Sequence, residues 1–289
     1  MPLPARTLLL TAVAMLAFAA NSLLCRVALQ QTNIDPASFG SVRLVSGALV
    51  LAAIVRLPSG PRAVARTDWL ASTMLWLYVA CFSFAYLSLA AGTGALILFG
   101  AVQITMFSAG LRAGERFTPA AWAGLVLALA GLLYLVSPGI AAPAPLGAAL
   151  MAVAGIAWGV YSLRGRGAGD PVAATAGNFL RAAPMALALS LVFASRFQVS
   201  SAGVAWAIAS GALTSGLGYV VWYAALPGLS ALRAATVQLS VPPLAAVGGV
   251  LLLSEALSMR LLLASAAILG GVALVLFSRS LAAKSRPDA

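Results

Sequence analysis

The side chains that usually carry out chemistry are nearly absent from this chain. It has no histidine, two cysteines and six carboxylates in 289 residues. Asp35, Asp68, Glu115, Asp170, Glu255 and Asp288 all fall at the ends of apolar runs or between them. A proton relay built from acids or histidines inside the membrane is therefore not expected. Thr214-Ser215-Gly216 offers a hydroxyl with no imidazole to activate it, which argues against an intramembrane protease. Cys25 and Cys81 stand alone, too few for an ordinary zinc site. No enzyme activity, metal or cofactor is expected.

What remains is aromatic surface with a few neutral hydrogen-bonding groups. Tyr78, Phe82 and Tyr86 recur at helical spacing and form one stripe. Trp158 and Tyr161 share a helix face, as do Ser215, Tyr219, Trp222 and Tyr223. Trp69 and Trp206, near run ends, suit anchoring at the membrane interface. Tyr78, Trp158 and Tyr219 lie deeper, where a hydroxyl or indole N–H needs a partner. Asn21, Ser22, Gln103, Thr105, Asn178, Gln238 and Ser240 are amides and hydroxyls within runs, each able to join helices or to touch a substrate. Pro242 and Pro243 fall near the middle of a run. They are expected to leave the carbonyls of Gln238 and Leu239 without helical partners, opening the helix to a cavity or only kinking it. The candidate substrate-binding set is thus Asn21, Tyr78, Phe82, Gln103, Trp158, Tyr161, Tyr219, Gln238 and Ser240.

Arginines within the runs divide by depth. Arg26 and Arg233 lie near run ends and are expected to snorkel to the interface. Arg43 and Arg181 lie deeper, with helix carbonyls or a gate contact as their expected partners. Glu115 and Glu255 are expected to cap helices starting near Thr118 and Ser258.

The elements that must position these residues are membrane helices. With 62% hydrophobic and 8% charged residues, the chain is far from soluble domains, of which about 25% is charged. Ten runs, at roughly 8–29, 37–56, 69–90, 93–111, 118–137, 146–163, 172–194, 203–224, 229–253 and 260–280, approach the length of about 20 residues that a span needs. Alternating them puts 11 basic residues on one face and 2 on the other, so both termini are expected in the cytoplasm. The net charge of +11 follows from that bias and does not point to nucleic acid. The first run resembles a signal peptide around Ala17-Phe18-Ala19, but it continues to Leu29 and is expected to be retained.

The pattern also occurs twice. Arg43 is answered by Arg181, Gln103 by Gln238, Glu115 by Glu255 and Gly131 by Gly271, at offsets of 138, 135, 140 and 140 residues. Five spans per copy make the second enter from the opposite face, as in the inverted repeats of secondary transporters. The expected units are 1–138 and 139–289. Gly155 with Gly159, Gly211 with Ser215, and Gly124, Gly131, Gly270 and Gly271 supply small residues for close helix contact.

Trp222-Tyr223-Ala224-Ala225, Ser230-Ala231, Gln238-Leu239-Ser240-Val241-Pro242-Pro243 and Leu253-Ser254-Glu255-Ala256-Leu257 resemble the repeat of EamA-type carriers of the drug/metabolite transporter superfamily. The resemblance implies an all-α membrane protein of ten helices in two inverted five-helix halves. It also implies a central cavity lined by helices 1, 3, 4, 6, 8 and 9. The first copy departs from the pattern: it lacks the proline after Gln103, and 12 residues separate Gln103 from Glu115 where 17 separate Gln238 from Glu255. The chain is similar to the aromatic amino acid exporter branch, whose members also pass methyl viologen. The resulting expectation is an inner-membrane exporter of neutral, aromatic or large apolar amino acids. It would work by rocking the halves about a midplane cavity, without proton antiport. A cationic drug exporter and a non-transporting receptor or scaffold are the alternatives. The expected partners are a small-molecule substrate and the bilayer, with no nucleic acid and the oligomeric state open.

Overall fold

The computed structural model describes residues 4–56, 68–114, 117–139, 142–165, 169–229 and 237–284, with side chains up to residue 275. They form ten helices: α1 (Ala5–Gln31), α2 (Pro36–Arg56), α3 (Trp69–Ala85), α4 (Ala91–Arg112), α5 (Pro119–Val136), α6 (Pro145–Gly165), α7 (Pro171–Val192), α8 (Ser201–Gly228), α9 (Gln238–Leu253) and α10 (Met259–Lys284). No strand occurs among the described residues.

Local chemistry sets where the helices begin. α2, α5, α6 and α7 open on proline, whose missing N–H would have no partner in a first turn. Asp35 Oδ1 accepts from the Ala37 and Ser38 N–H groups at 3.0 and 2.9 Å to cap α2. Asp170 Oδ1 does the same for α7, accepting from Val172 and Ala173 at 3.0 Å. Thr118 and Ser258 cap α5 and α10 through the N–H groups of Ala121 and Leu261. Glu255 consequently does not cap α10 as the sequence suggested, because the Ser258 hydroxyl lies nearer to the free N–H. Glu115 lies outside the described residues.

Seven helices are long and apolar enough to cross a membrane, while α3, α9 and the described part of α10 are apolar but shorter. The 17 residues of α3 rise about 26 Å, less than the hydrocarbon thickness of about 30 Å. The expected run to residue 90 stops at Ala85 because side chains of α1 take the carbonyls of the next turn. Arg26 Nη1 donates to Tyr86 O at 2.8 Å and Gln30 Nε2 to Leu87 O at 3.1 Å. α9 shows the change of winding expected at its prolines. The chain tightens over Gln238–Ser240 and becomes α-helical at Val241, so Pro242 and Pro243 open the regular segment that follows, where the absent N–H groups cost little. The Gln238 carbonyl is not left open, since the Val241 N–H donates to it. Arg233 lies outside the described residues.

Packing follows a twofold rule. Exchanging each helix for its counterpart in the other copy turns α3–α6 into α8–α1, α4–α6 into α9–α1, and α3–α7 into α8–α2. The pairs α2–α7, α4–α9 and α5–α10 map onto themselves, and all of these pairs are in contact. The halves therefore interleave, and the principal helix pairs join one half to the other. Rigid rocking of one complete half against the other would break them.

Small residues let these pairs approach. A Cβ added to Gly124 of α5 would lie 2.5 Å from the Gly271 carbonyl of α10, and one added to Gly271 would strike the Gly124 carbonyl in return. Gly155 of α6 sits in the same way on the Leu98 carbonyl of α4, at 2.5 Å. Gly270 differs from the expectation, with nothing within 4 Å of its Cβ position. Gly271→Val is expected to lose about 1–3 kcal/mol by forcing α5 and α10 apart. Gly270→Val meets open space and replaces a poorer helix former, so it is expected to change stability by less than about 1 kcal/mol. Unfolding midpoints of the two purified variants in one detergent check the contrast.

Candidate functional site

Between the halves, α1, α2, α3, α6, α7 and α8 converge on a buried polar and aromatic cluster. α8 supplies its base, because Ala209–Leu217 is wound as a π-type segment that realigns its hydroxyls. Gly211 makes this possible: a Cβ there would overlap the Arg43 carbonyl and Ser46 Oγ of α2.

Ser215 is the hub. Its Oγ accepts from Asn21 Nδ2 at 3.3 Å and from Arg43 Nε at 3.2 Å. Ser210 Oγ donates to Asn21 Oδ1 at 2.6 Å, and Arg43 Nη2 donates to Tyr78 OH at 3.0 Å. One chain of bonds thus runs from α8 through α1 and α2 to α3. Arg43 is 1% exposed. Its Cζ lies 5.2 Å from the Tyr78 ring centroid and 5.0 Å from that of Phe82. Its Nη1 has no hydrogen-bond partner among the described residues.

The magnitudes show how finely Arg43 is held. Removing an ion from water costs several kcal/mol even after relaxation. Each hydrogen bond from the cation returns about 1.5–3 kcal/mol, and a desolvated ring face about 2 kcal/mol. Among the described residues no carboxylate completes the balance: the ion pairs there are Arg26 with Glu255 and Arg164 with Asp68.

Aromatic rings extend the cluster. Trp158 of α6 stands among Tyr78, Tyr161 and Tyr219, with centroids 5.0, 5.4 and 5.4 Å away. Phe179 of α7 and Phe18 of α1 close the far side of Tyr219 at 6.0 and 5.9 Å. Tyr78, Tyr161 and Tyr219 are buried, whereas Trp158 is half-buried. Beside it, Thr175 Oγ1 lies 3.5 Å from Tyr161 OH and 3.3 Å from Tyr223 OH, and Ser72 Oγ donates to Asn178 Oδ1 at 3.2 Å.

Six of the nine candidate residues, Asn21, Tyr78, Phe82, Trp158, Tyr161 and Tyr219, come together here. Gln103 and Gln238 are half-buried on α4 and α9. Ser240 is exposed, and its hydroxyl donates to Val237 O at 2.7 Å. Arg43 and Arg181, matched in the repeat, differ in place. Arg43 bonds hydroxyls instead of the expected carbonyls, while Arg181 is only half-buried, its Cζ 6.0 Å from the ring centroid of Trp69. Ser210 went unnoticed in the sequence, although the Gly211, Gly216 and Gly218 around it mark a stretch able to leave regular helix.

Two ion pairs join the halves at opposite ends of the bundle. Arg26 Nε of α1 meets Glu255 Oε1 at 3.1 Å, and Glu255 Oε2 accepts from the Ala91 N–H at 2.8 Å, at the start of α4. Ser254, in the left-handed conformation with φ 53°, turns the chain so that Glu255 points inward. Arg26 therefore does not snorkel, because a carboxylate and a carbonyl already hold it. At the other end Arg164 Nε of α6 meets Asp68 Oδ2 at 2.9 Å. Partial burial disfavours the charged Asp68 carboxylate, but the Ala71 N–H and the Arg164 guanidinium outweigh it and hold its pKa below the ordinary range.

Among the described residues, no group of three or more histidines, cysteines and acids is placed to hold a metal ion. The profile of the EamA-like transporter family matches residues 145–277. The uncharacterized protein PA1977 of Pseudomonas aeruginosa is 57% identical over 274 residues, covering 95% of this chain and 96% of that protein. A protein of known crystal structure shares the fold at a TM-score of 0.66 with 21% identity, over 97% of this chain and 99% of that one.

Proposed function

We propose, from the match of residues 145–277 to the EamA-like transporter family, that the chain is a multi-pass carrier that exports neutral, aromatic or large apolar amino acids across the bacterial inner membrane. The observation that carries this reading is Trp158, half-buried and in ring contact with three buried tyrosines drawn from both halves. Flat apolar walls beside hydroxyls and an amide suit a molecule with one ring or branched end and one polar end. Access alternates by movement of helix groups drawn from both halves, since the halves interleave. The units 1–138 and 139–289 are then sequence repeats that do not move as separate bodies. Both termini face the cytoplasm, on the strength of the basic-residue bias.

Asp35, Asp68, Asp170 and Glu255 all bind helix starts or arginines at the bundle's ends. This supports facilitated transport driven by the substrate gradient. An unneutralised Arg43 at the centre disfavours a cationic substrate such as methyl viologen. The test is flux of a panel of amino acids in proteoliposomes, with Trp158→Ala and Gln238→Ala beside the parent. Trp158→Ala is expected to reduce aromatic flux at least tenfold, reflecting a stacking and burial loss above about 1.4 kcal/mol. Gln238→Ala is expected to change it less. Flux that appears only with an imposed pH gradient, or that survives Trp158→Ala unaltered in rate and selectivity, contradicts the reading.

A further inference from the structure

The polar end of the cluster carries a charge that nothing among the described residues answers. A guanidinium has five N–H donors, and the described bonds of Arg43 use one on Nε and one on Nη2. Nη1 is buried and has no acceptor among the described residues. The described carboxylates are engaged elsewhere: Asp35 and Asp170 cap helices, Asp68 holds Arg164, and Glu255 holds Arg26. Tyr78 and Phe82 lie against the cation and attract it only through their ring faces. The Nη1–Nη2 edge of the guanidinium is the fork that matches a carboxylate with two parallel bonds. Tyr78, which holds Nη2, also stacks on Trp158 at 5.0 Å. An anion bound at Nη1 would therefore sit beside the aromatic wall.

We infer that Arg43 is the anion-binding residue of the central site and takes the carboxylate of an aromatic or apolar monocarboxylate. This deepens the transport reading and rests on it for the identity of the site as a substrate site. It narrows the substrate class: a free carboxylate is required, while an amino group is not. A zwitterionic amino acid qualifies, an amine without a carboxylate does not. Ser215 and Tyr78 hold the guanidinium in place without neutralising it. Arg181, the repeat counterpart, has no such role because it is only half-buried against Trp69.

Calorimetric titration of the purified full-length protein in detergent tests this, with benzoate, benzyl alcohol and benzylamine at equal ionic strength in methanesulfonate buffer. Benzoate is expected to bind at least about tenfold more tightly than either uncharged benzyl alcohol or cationic benzylamine, the factor that one charge-assisted hydrogen bond supplies. Arg43→Gln is expected to abolish the preference, Arg43→Lys to keep it at reduced affinity, and Arg181→Gln to leave it unchanged. If Arg43→Gln does not fold, the parent titration still decides, because benzylamine or benzyl alcohol binding as tightly as benzoate overturns the inference. A preference that persists in folded Arg43→Gln overturns it as well. So does a benzoate response that disappears when chloride replaces methanesulfonate, which assigns the position to an inorganic anion. These titrations need no flux: a protein that prefers benzoate through Arg43 yet moves no amino acid supports the anion site and contradicts only the exporter reading.

Discussion

Glu255→Ala is expected to destabilise the protein by about 3–5 kcal/mol, the cost of removing one partner from a largely buried ion pair. The side chains of Arg26 and Glu255 are only 16% and 13% exposed, so water screens the pair weakly. The carboxylate also serves two elements at once, accepting from Arg26 and from the Ala91 N–H that opens α4. Its loss leaves a cation and a helix N-terminus unanswered, and it unties α1, α4 and the α9–α10 turn together. Arg26→Gln should cost less, because Glu255 keeps its bond to α4. A double-mutant cycle of Arg26→Gln and Glu255→Gln, read from unfolding midpoints in detergent, is expected to give a coupling of about 1 kcal/mol or more. Additive effects would mean that the two side chains act separately.

Ser215→Ala is expected to lose about 2–5 kcal/mol, a large effect for removing one oxygen. That oxygen accepts from both Asn21 and Arg43. Each abandoned donor costs about 1–3 kcal/mol, and more where it is charged. The π-type winding of α8 puts this hydroxyl at the hub. Ser240→Ala is the matched control: its hydroxyl is exposed and bonds its own turn, so its loss is expected to stay within about 0.5 kcal/mol. Unfolding midpoints of the two variants should differ by several degrees. Equal midpoints would remove Ser215 from the centre of the network.

Much of the fold could be read in the chain because membrane helices obey one-dimensional rules. Apolar length and the proline and aspartate starts located all ten helices, but not their pairing, which joins one half to the other rather than sequence neighbours. The aromatic stripe at Tyr78 and Phe82 and the pairs around Trp158 and Tyr219 were also legible, since helical spacing alone puts them on common faces. Depth was harder to judge. Arg26 and Glu255 each lie near a run end, where the sequence suggests snorkelling and capping, and only the fold brings α1 against the α9–α10 turn. Pro242 and Pro243 mark a change of winding, but the sequence does not show that the Val241 N–H takes the Gln238 carbonyl or that Ser240 is exposed. The repeat match of Arg43 with Arg181 suggested equal roles, but burial separates them: one is enclosed by Ser215, Tyr78 and Phe82, the other is half-buried beside Trp69.

The central claim is that this bundle moves a small molecule through itself. Counterflow tests it most directly: proteoliposomes preloaded with unlabelled tryptophan are diluted into labelled tryptophan with no pH gradient. The account predicts transient accumulation of label above the outside concentration, reduced at least tenfold in Trp158→Ala. Saturable binding without accumulation would contradict it and identify the protein as a receptor or scaffold.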